Sequence, residues 1–471
     1  MDSYTKLEYI KIIQIIEKYC NTYIGKKQCK LLKPSFDYDN VLVLLNESVE
    51  AFDLINKKGN APIYDLPDIE IYIKALESNQ ILPTSGLLSI ARLLKTAREL
   101  KDYYVSEQWN TVSNSENSNL KLDIKYLENY FSSLYSNKDI ENEVFFKILD
   151  ENTINDNASS KLASLRRNRR NLERSIKEKL LNVLHSPTYS KYLMEPVITI
   201  RNNRYVIPVK EEYRTFIPGL IHDISSSGST VYLEPTSVFE TNNKIATIKI
   251  EEEQEIEKIL GQISSSLYEY VPNLQINIET IGHLDLLFAK AKFAKEYDCV
   301  MPILNKNKKV DLIKAKHPLI DKNKVVPIDI SLGDTYHTLI ITGPNTGGKT
   351  VSLKTLGLLL LMAYSGILIP CNEQSSICVF SNIFVDIGDE QNIQESLSTF
   401  SSHILNIVNI INKFDENSLI LVDELGSGTD PIEGANLAIS ILQYFATRNA
   451  LTVCTTHYQE LKEFALINKR F

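Results

Sequence analysis

GPNTGGKT, residues Gly343–Thr350, is the stretch on which the reading of this chain turns. It follows the apolar run Leu339-Ile340-Ile341 and opens at Val351 onto a helix-like stretch, so a glycine loop links a strand to a helix. Gly343, Gly347 and Gly348 let backbone N–H groups close on phosphate oxygens, in conformations that a side chain would block. Pro344, Asn345 and Thr346 complete the loop, and the positive end of the following helix points at the same anion. Lys349 is placed to reach terminal phosphates and the Thr350 hydroxyl to ligate Mg²⁺. A glycine turn of no function is the bland alternative, and the complete spacing in this context argues against it.

Further along, Leu419-Ile420-Leu421-Val422 is an apolar run that ends in Asp423 and Glu424, as expected of a buried central strand. Asp423 suits a direct or water-mediated place at Mg²⁺, and Glu424 suits a general base for attack on a γ-phosphate. The loop Gly426–Pro431 and a helix over Gly434–Arg448 follow, then Leu451–Thr456 reads as a strand ending at His457. Ligand contacts gather at strand ends in open α/β sheets, so His457 is expected to sense or position the γ-phosphate. Between the two motifs, DIGDEQNIQESLSTFSSH (Asp386–His403) is polar and leads into a helix, with Ser398 and Thr399 as candidate phosphate donors.

Upstream, helical spacing recurs through Leu7, Ile10, Ile13, Ile16 and Tyr19, again from Val41 to Phe52, and from Leu87 to Tyr103. Polar breaks at Lys57–Asn60, Ser113–Asn119 and Asp150–Ser160 are read as loops. Leu165, Leu172, Ile176, Leu180 and Leu184 then keep a long-helix seam. Among them lie Arg166, Arg167, Arg169 and Arg170, either a solvated helix face or an arm that contacts phosphates; the pattern leaves both open. Val197–Ile200 and Tyr205–Val209 are expected to pair as a hairpin around Arg201–Arg204, with strand-like runs following to Leu233. Helical spacing returns from Asn242 to Tyr270, so a β-rich tip is bracketed by two long helices. Arg201 and Arg204 sit where that tip could touch a polyanion. Val310–Ile313 and Val325–Ile330 are read as strands leading to the glycine loop.

The expected fold is therefore multidomain. A mostly α-helical core (1–160) precedes helical arms (161–275) that carry a β-rich tip at about 195–238, the lever and the clamp of the resemblance given below. The core returns over 276–308, and an α/β P-loop ATPase domain occupies 309–471. The 471-residue chain is 43% hydrophobic and 23% charged with a net charge of −8, so any polyanion contact must come from local patches. Its 6 cysteines form no CxxC pair, which argues against a disulfide framework or structural zinc. The charged N-terminus MDSYTKLEYI lacks a signal-peptide core, and Leu356–Ile369 is broken by Ser365 and Gly366, so the expectation is a cytoplasmic protein without membrane spans.

Taken in one order, GPNTGGKTVSLKTLGLL, DIGDEQNIQESLSTFSSH, LVDELGSGTDPIEGANLA and TTHYQELKEFA resemble the ABC-type ATPase of the MutS family, in its second, MutS2-type branch. DNASSKLASLRRNRR, RYVIPVKEEYRTFIPGLIHDISSSGSTVYLEP and the Lys316-His317-Pro318 triplet extend the resemblance upstream. It implies ATP and Mg²⁺ as cofactors and a homodimer in which the partner's Ser398-Thr399 loop closes over the γ-phosphate. It also implies a clamp that binds branched DNA to suppress recombination, with two alternatives: a ribosome-binding ATPase contacting ribosomal RNA at stalled or collided ribosomes, and an inactive remnant. An architectural long-stalk ATPase fits poorly, since the arms end in a β tip. In this family the ATPase strands continue and a C-terminal Smr nuclease domain usually follows. The last residue stands fourteen positions past His457, so the expectation is a truncated chain with any nuclease activity in the part it lacks. No aromatic residue in Val325–Asp329 offers a stacking surface for adenine.

Overall fold

The computed structural model describes residues 3–105, 124–344, 347–388 and 399–471. These fall into two compact units: Met1–Asp68, Thr96–Tyr135 and Ile276–Phe471 form the first, Ile69–Lys95 and Ser136–Gln275 the second. The Ser113–Asn119 break lies outside the described residues.

The first unit is built on a four-stranded parallel sheet in the order Thr338–Thr342, Leu451–Thr456, Ser418–Val422, Asn382–Asp386. The strand that ends in the acids does not lie beside the strand that leads into the glycine loop. Leu451–Thr456 is inserted between them, pairing Thr342 with Thr456 on one side and Val422 with Cys454 on the other. The C-terminal ends of all four strands are thereby level, and Gly343, His457 and Asp423 leave the sheet at one edge.

Alternation along the acid strand explains why the sheet is covered on both faces. Leu419 and Leu421 point into one core, with Leu353, Leu356 and Leu360 of the loop helix Lys349–Tyr364 and with Leu7, Ile12 and Ile16 from the start of the chain. Ile420 and Val422 point into a second core formed by Ile407 and Ile410 of helix Thr399–Lys413 and by Ala438, Leu442 and Phe445 of helix Pro431–Thr447. Pro431 takes the first helical position and the Asp430 carboxylate caps Ile432 N–H at 3.0 Å, which starts the helix three residues earlier than Gly434. A second, mixed sheet orders Ile303–Asn305, Ser376–Cys378, Val310–Ala315 and Ile328–Leu332, and its Val310, Leu312 and Ile330 join the first core. The strand expected from Val325 begins only at Ile328, leaving Val326 exposed. Pro327 has no N–H to give a ladder, which accounts for the late start.

The N-terminal stripe is also corrected. Glu8 adopts a left-handed conformation (φ 59°) that separates helix Ser3–Lys6 from helix Tyr9–Glu17. The break resets the helical phase, so Tyr9, Ile12, Ile13 and Ile16 are buried with Leu7 while Ile10 faces solvent. At the far end of the loop helix the buried Lys290 ammonium donates to the Ser365 carbonyl at 2.8 Å, and Tyr9 Oη lies 2.6 Å from Ser365 Oγ.

In the second unit, helix Ser160–Leu184 and helix Thr236–Leu267 lie against each other in opposite directions, Lys161 meeting Glu255 and Arg169 meeting Glu252. Between them in the chain is a four-stranded antiparallel sheet ordered Thr199–Arg201, Arg204–Lys210, Thr230–Pro235, Gly219–Ile224. Asn202 and Asn203 both have positive φ, the signature of a two-residue turn matched to strand twist, so the hairpin is tighter than the four-residue turn expected. Ile176, Leu180 and Leu184 pack with Ile207, Val231, Leu233 and Val238 as this unit's apolar centre. The Asp150–Ser160 stretch, expected to be a loop, begins within a short pairing of Ile148–Asp150 with Thr153–Ile154 and continues into a 3₁₀ turn at Asp156–Ala158.

Candidate nucleotide site

Lys349 is the first residue of the loop helix, and Gly348 before it takes φ 78°, which admits glycine at that bend. The Lys349 side chain is almost fully buried and turns back into its own loop, donating to the Gly343 carbonyl. Its ammonium also stands 3.2 and 3.1 Å from the two ring nitrogens of His457, the residue leaving the inserted strand. His457 Nε2 in turn lies 2.9 Å from Glu424 Oε1. Lysine, imidazole and carboxylate thus form a continuous line across three strand ends, a direct result of the strand order.

A second line runs behind it. Thr350 Oγ1 donates to Asp423 Oδ2 at 2.8 Å, and the buried Thr455 hydroxyl donates to Asp423 Oδ1. The same Thr455 oxygen accepts the Glu424 N–H at 2.9 Å, so one hydroxyl uses its proton on one acid and its lone pair on the next. Glu424 has φ 50°, sparsely populated for a non-glycine residue and held there by that bond. In the sequence Thr455 is one residue of the TTH run, and its only signal is a polar residue at the end of an apolar buried strand.

A third cluster, also without an expected role, lies at the edge strand. The Asp386 carbonyl accepts Asp423 N–H at 2.8 Å, and its buried carboxylate accepts from His403 Nδ1 at 2.9 Å and Asn406 Nδ2 at 2.8 Å. The hydrogen bond to Asp386 raises the His403 pKa above its ordinary value, against the opposing effect of burial.

Of the other expected residues, Gly343, Pro344, Gly347 and Val351 are in place along the loop and first helical turn. Asn345, Thr346 and Ser398 lie outside the described residues, as does the side chain of Thr399, whose backbone begins a helix. The donor set at the loop fits a hard cation. A neutral hydroxyl and a carboxylate oxygen converge at Thr350 and Asp423 beside a loop suited to phosphate, the oxygen ligation that Mg²⁺ takes.

The arginines of the second unit divide by partner. Arg166 bonds the Ile154 carbonyl at 2.7 Å and Asp156 at 2.6 Å, and Arg169 pairs with the buried Glu252 at 3.2 Å. Arg204 Nη1 meets both oxygens of the fully buried Glu234 at 2.9 and 3.0 Å. These three are committed to carboxylates or carbonyls of their own unit. Arg170 pairs with Asp156 at 2.9 Å, and Arg201 lies over the Tyr232 ring and pairs with Asp223 at 3.3 Å. Arg167 is exposed, and so are Arg174 and Lys177 further along the same helix.

Residues 339–470 match the family model MutS domain V, which spans the glycine loop, the acids and His457. Over 463 residues, or 98% of this chain, it is 45% identical to the Endonuclease MutS2 of Acetivibrio thermocellus. It is 43% identical over 460 residues to those of Alkaliphilus oremlandii and Clostridioides difficile. The similarity to the MutS2 branch of the MutS family thus runs over nearly the whole chain. The chain spans 57% of the length of these curated MutS2 relatives. No helix among the described residues is long and apolar enough to cross a membrane.

Proposed function

We propose that this chain hydrolyses Mg-ATP to drive a nucleic-acid clamp that holds branched DNA. The observation that carries the ATPase reading is the meeting of Lys349, Thr350, Asp423, Glu424 and His457 at one edge of a parallel sheet. When bound, Mg-ATP supplies an electrophilic phosphoryl group and a cation that offsets its charge. Lys349 holds the terminal phosphates, Thr350 and Asp423 hold the metal, and Glu424 takes a proton from the attacking water. His457, between lysine and glutamate, reads the same phosphate. Two copies are expected to share their sites, and the relatives' printed name, endonuclease, assigns a nuclease to whole proteins of greater length.

The clamp reading is supported by the antiparallel helices ending in a β sheet, and by charge left facing solvent. Arg167, Arg170, Arg174 and Lys177 are exposed at spacings of three, four and three, which is one face of helix Ser160–Leu184. Such a stripe contacts phosphates without reading sequence. The test traps Glu424→Gln with ATP and compares its affinity for a four-way DNA junction with its co-sedimentation on ribosomes at one fixed salt. Preference for the junction is the expected result. Preference for ribosomes would replace the DNA reading with ribosomal RNA, and binding to neither would remove the clamp reading.

A further inference from the structure

The acids of the site are tied to a neighbouring helix through a residue with no assigned part in the chemistry. Asp386 ends the edge strand, and its main-chain carbonyl holds Asp423 N–H at 2.8 Å. Its side chain, polar and buried, needs donors, and finds two one turn apart on helix Thr399–Lys413: His403 and Asn406. The Lys6 ammonium stands 4.0 Å away on the other side. The same helix also approaches the loop that follows the acids. In its first turn, Phe400 Cβ would lie 3.3 Å from a β-carbon built on Gly428, in the loop that follows Glu424. One rigid element is therefore hydrogen-bonded to the residue that ends the neighbouring strand and lies close to the loop that follows the acids.

We propose that Asp386 and His403 are positioning residues for phosphoryl transfer, setting the placement of helix Thr399–Lys413 against Asp423 and Glu424. Neither residue touches the reacting atoms. Their carboxylate–imidazole contact fixes the pitch of the helix, and the Asp386 carbonyl passes that pitch to the Asp423 backbone. A shift of the helix then becomes a shift of the two acids, which is how a change at the helix N-terminus would speed or slow turnover. This rests on the ATPase reading above.

The test uses the full 471-residue chain with Mg²⁺ and compares wild type, His403→Gln, Asp386→Asn and the double variant. Loss of the pair should lower kcat about tenfold or more, because small misplacements of catalytic groups are costly. KM for ATP and the affinity for a fluorescent ATP analogue should stay within about twofold, since Lys349 and its loop are untouched. The double variant should be no slower than the slower single one, the mark of two residues acting as a unit. Unchanged kcat in His403→Gln would overturn the proposal, as would additive losses. If Asp386→Asn fails to fold, His403→Gln decides alone, because that ring is partly exposed. Nucleotide binding by wild type is read separately: its absence would overturn the ATPase reading and this proposal with it.

Discussion

Thr455 shows how much of the site depends on a single hydroxyl. It donates to Asp423 and accepts from Glu424 N–H, and it is fully buried, so no water substitutes for it. Thr455→Val keeps the shape and removes both bonds, leaving Glu424 free to relax from φ 50°. Steady-state kinetics should show kcat falling by about ten- to a hundredfold, with KM little changed. Lys349→Ala should instead abolish nucleotide binding, and Glu424→Gln should bind ATP normally yet turn over at least about a hundredfold more slowly. Normal turnover in Glu424→Gln would remove that residue from the role of base. The contrast also explains what could be read in advance. Lys349, Thr350, Asp423 and Glu424 sit in motifs whose spacing carries their chemistry. Thr455 and Asp386 act through bonds to residues 32 and 20 positions away, which exist only once four strands are in register.

The loop helix is held at both ends, and the end remote from phosphate was not visible in its sequence. Lys349–Tyr364 is so apolar that it reads as a buried helix, which it is; what caps it comes from Lys290, 75 residues upstream. A lysine suits the negative end of a helix, yet burial pushes its pKa down from 10.5 to about 8, with the charge of Glu47 pulling the other way. The folded pKa lies below the unfolded one, so between about 8 and 10.5 the unfolded chain carries a proton that the native chain has released. Stability contributed by this group therefore rises with pH across that window. Comparing urea unfolding of wild type and Lys290→Met at pH 7 and pH 9.5 cancels the other titrating groups. The wild type should gain on the variant by up to about 1.4 kcal/mol per pH unit above pH 8. Parallel curves would show that the amine is not desolvated as the fold implies. Elsewhere, element type was readable and element edges were not: one left-handed residue at Glu8 reset a helical stripe, and Pro327 delayed a strand, because each acts on backbone geometry that apolar spacing does not encode.

At the scale of the molecule, net charge and local charge point in opposite directions. A chain of net charge −8 repels nucleic acid on average, so binding has to be concentrated where acids are used up or absent. Helix Ser160–Leu184 meets that condition on one face. Its inward arginines, Arg166 and Arg169, neutralise Glu252 of the opposing helix, which is the structural half of the arginine run. The outward set, Arg167, Arg170, Arg174 and Lys177, spans eleven residues, or about 15 Å of helix, enough to follow several phosphates of one strand. Reversing these four to glutamate should leave the fold and basal ATP turnover intact, since they lie on the solvent side and the one ion pair lost, Arg170 with Asp156, is at the surface. It should weaken binding to a DNA junction and flatten the dependence of log K on log salt by about three to four units. The same reversal of Arg166 and Arg169 should lower the melting temperature instead, because it sets like charges against a buried carboxylate. Equal salt slopes for wild type and the outward variant would make that face a solvated one and move the search for the contact to the β sheet, where Arg201 is half-buried and Arg204 is committed to Glu234.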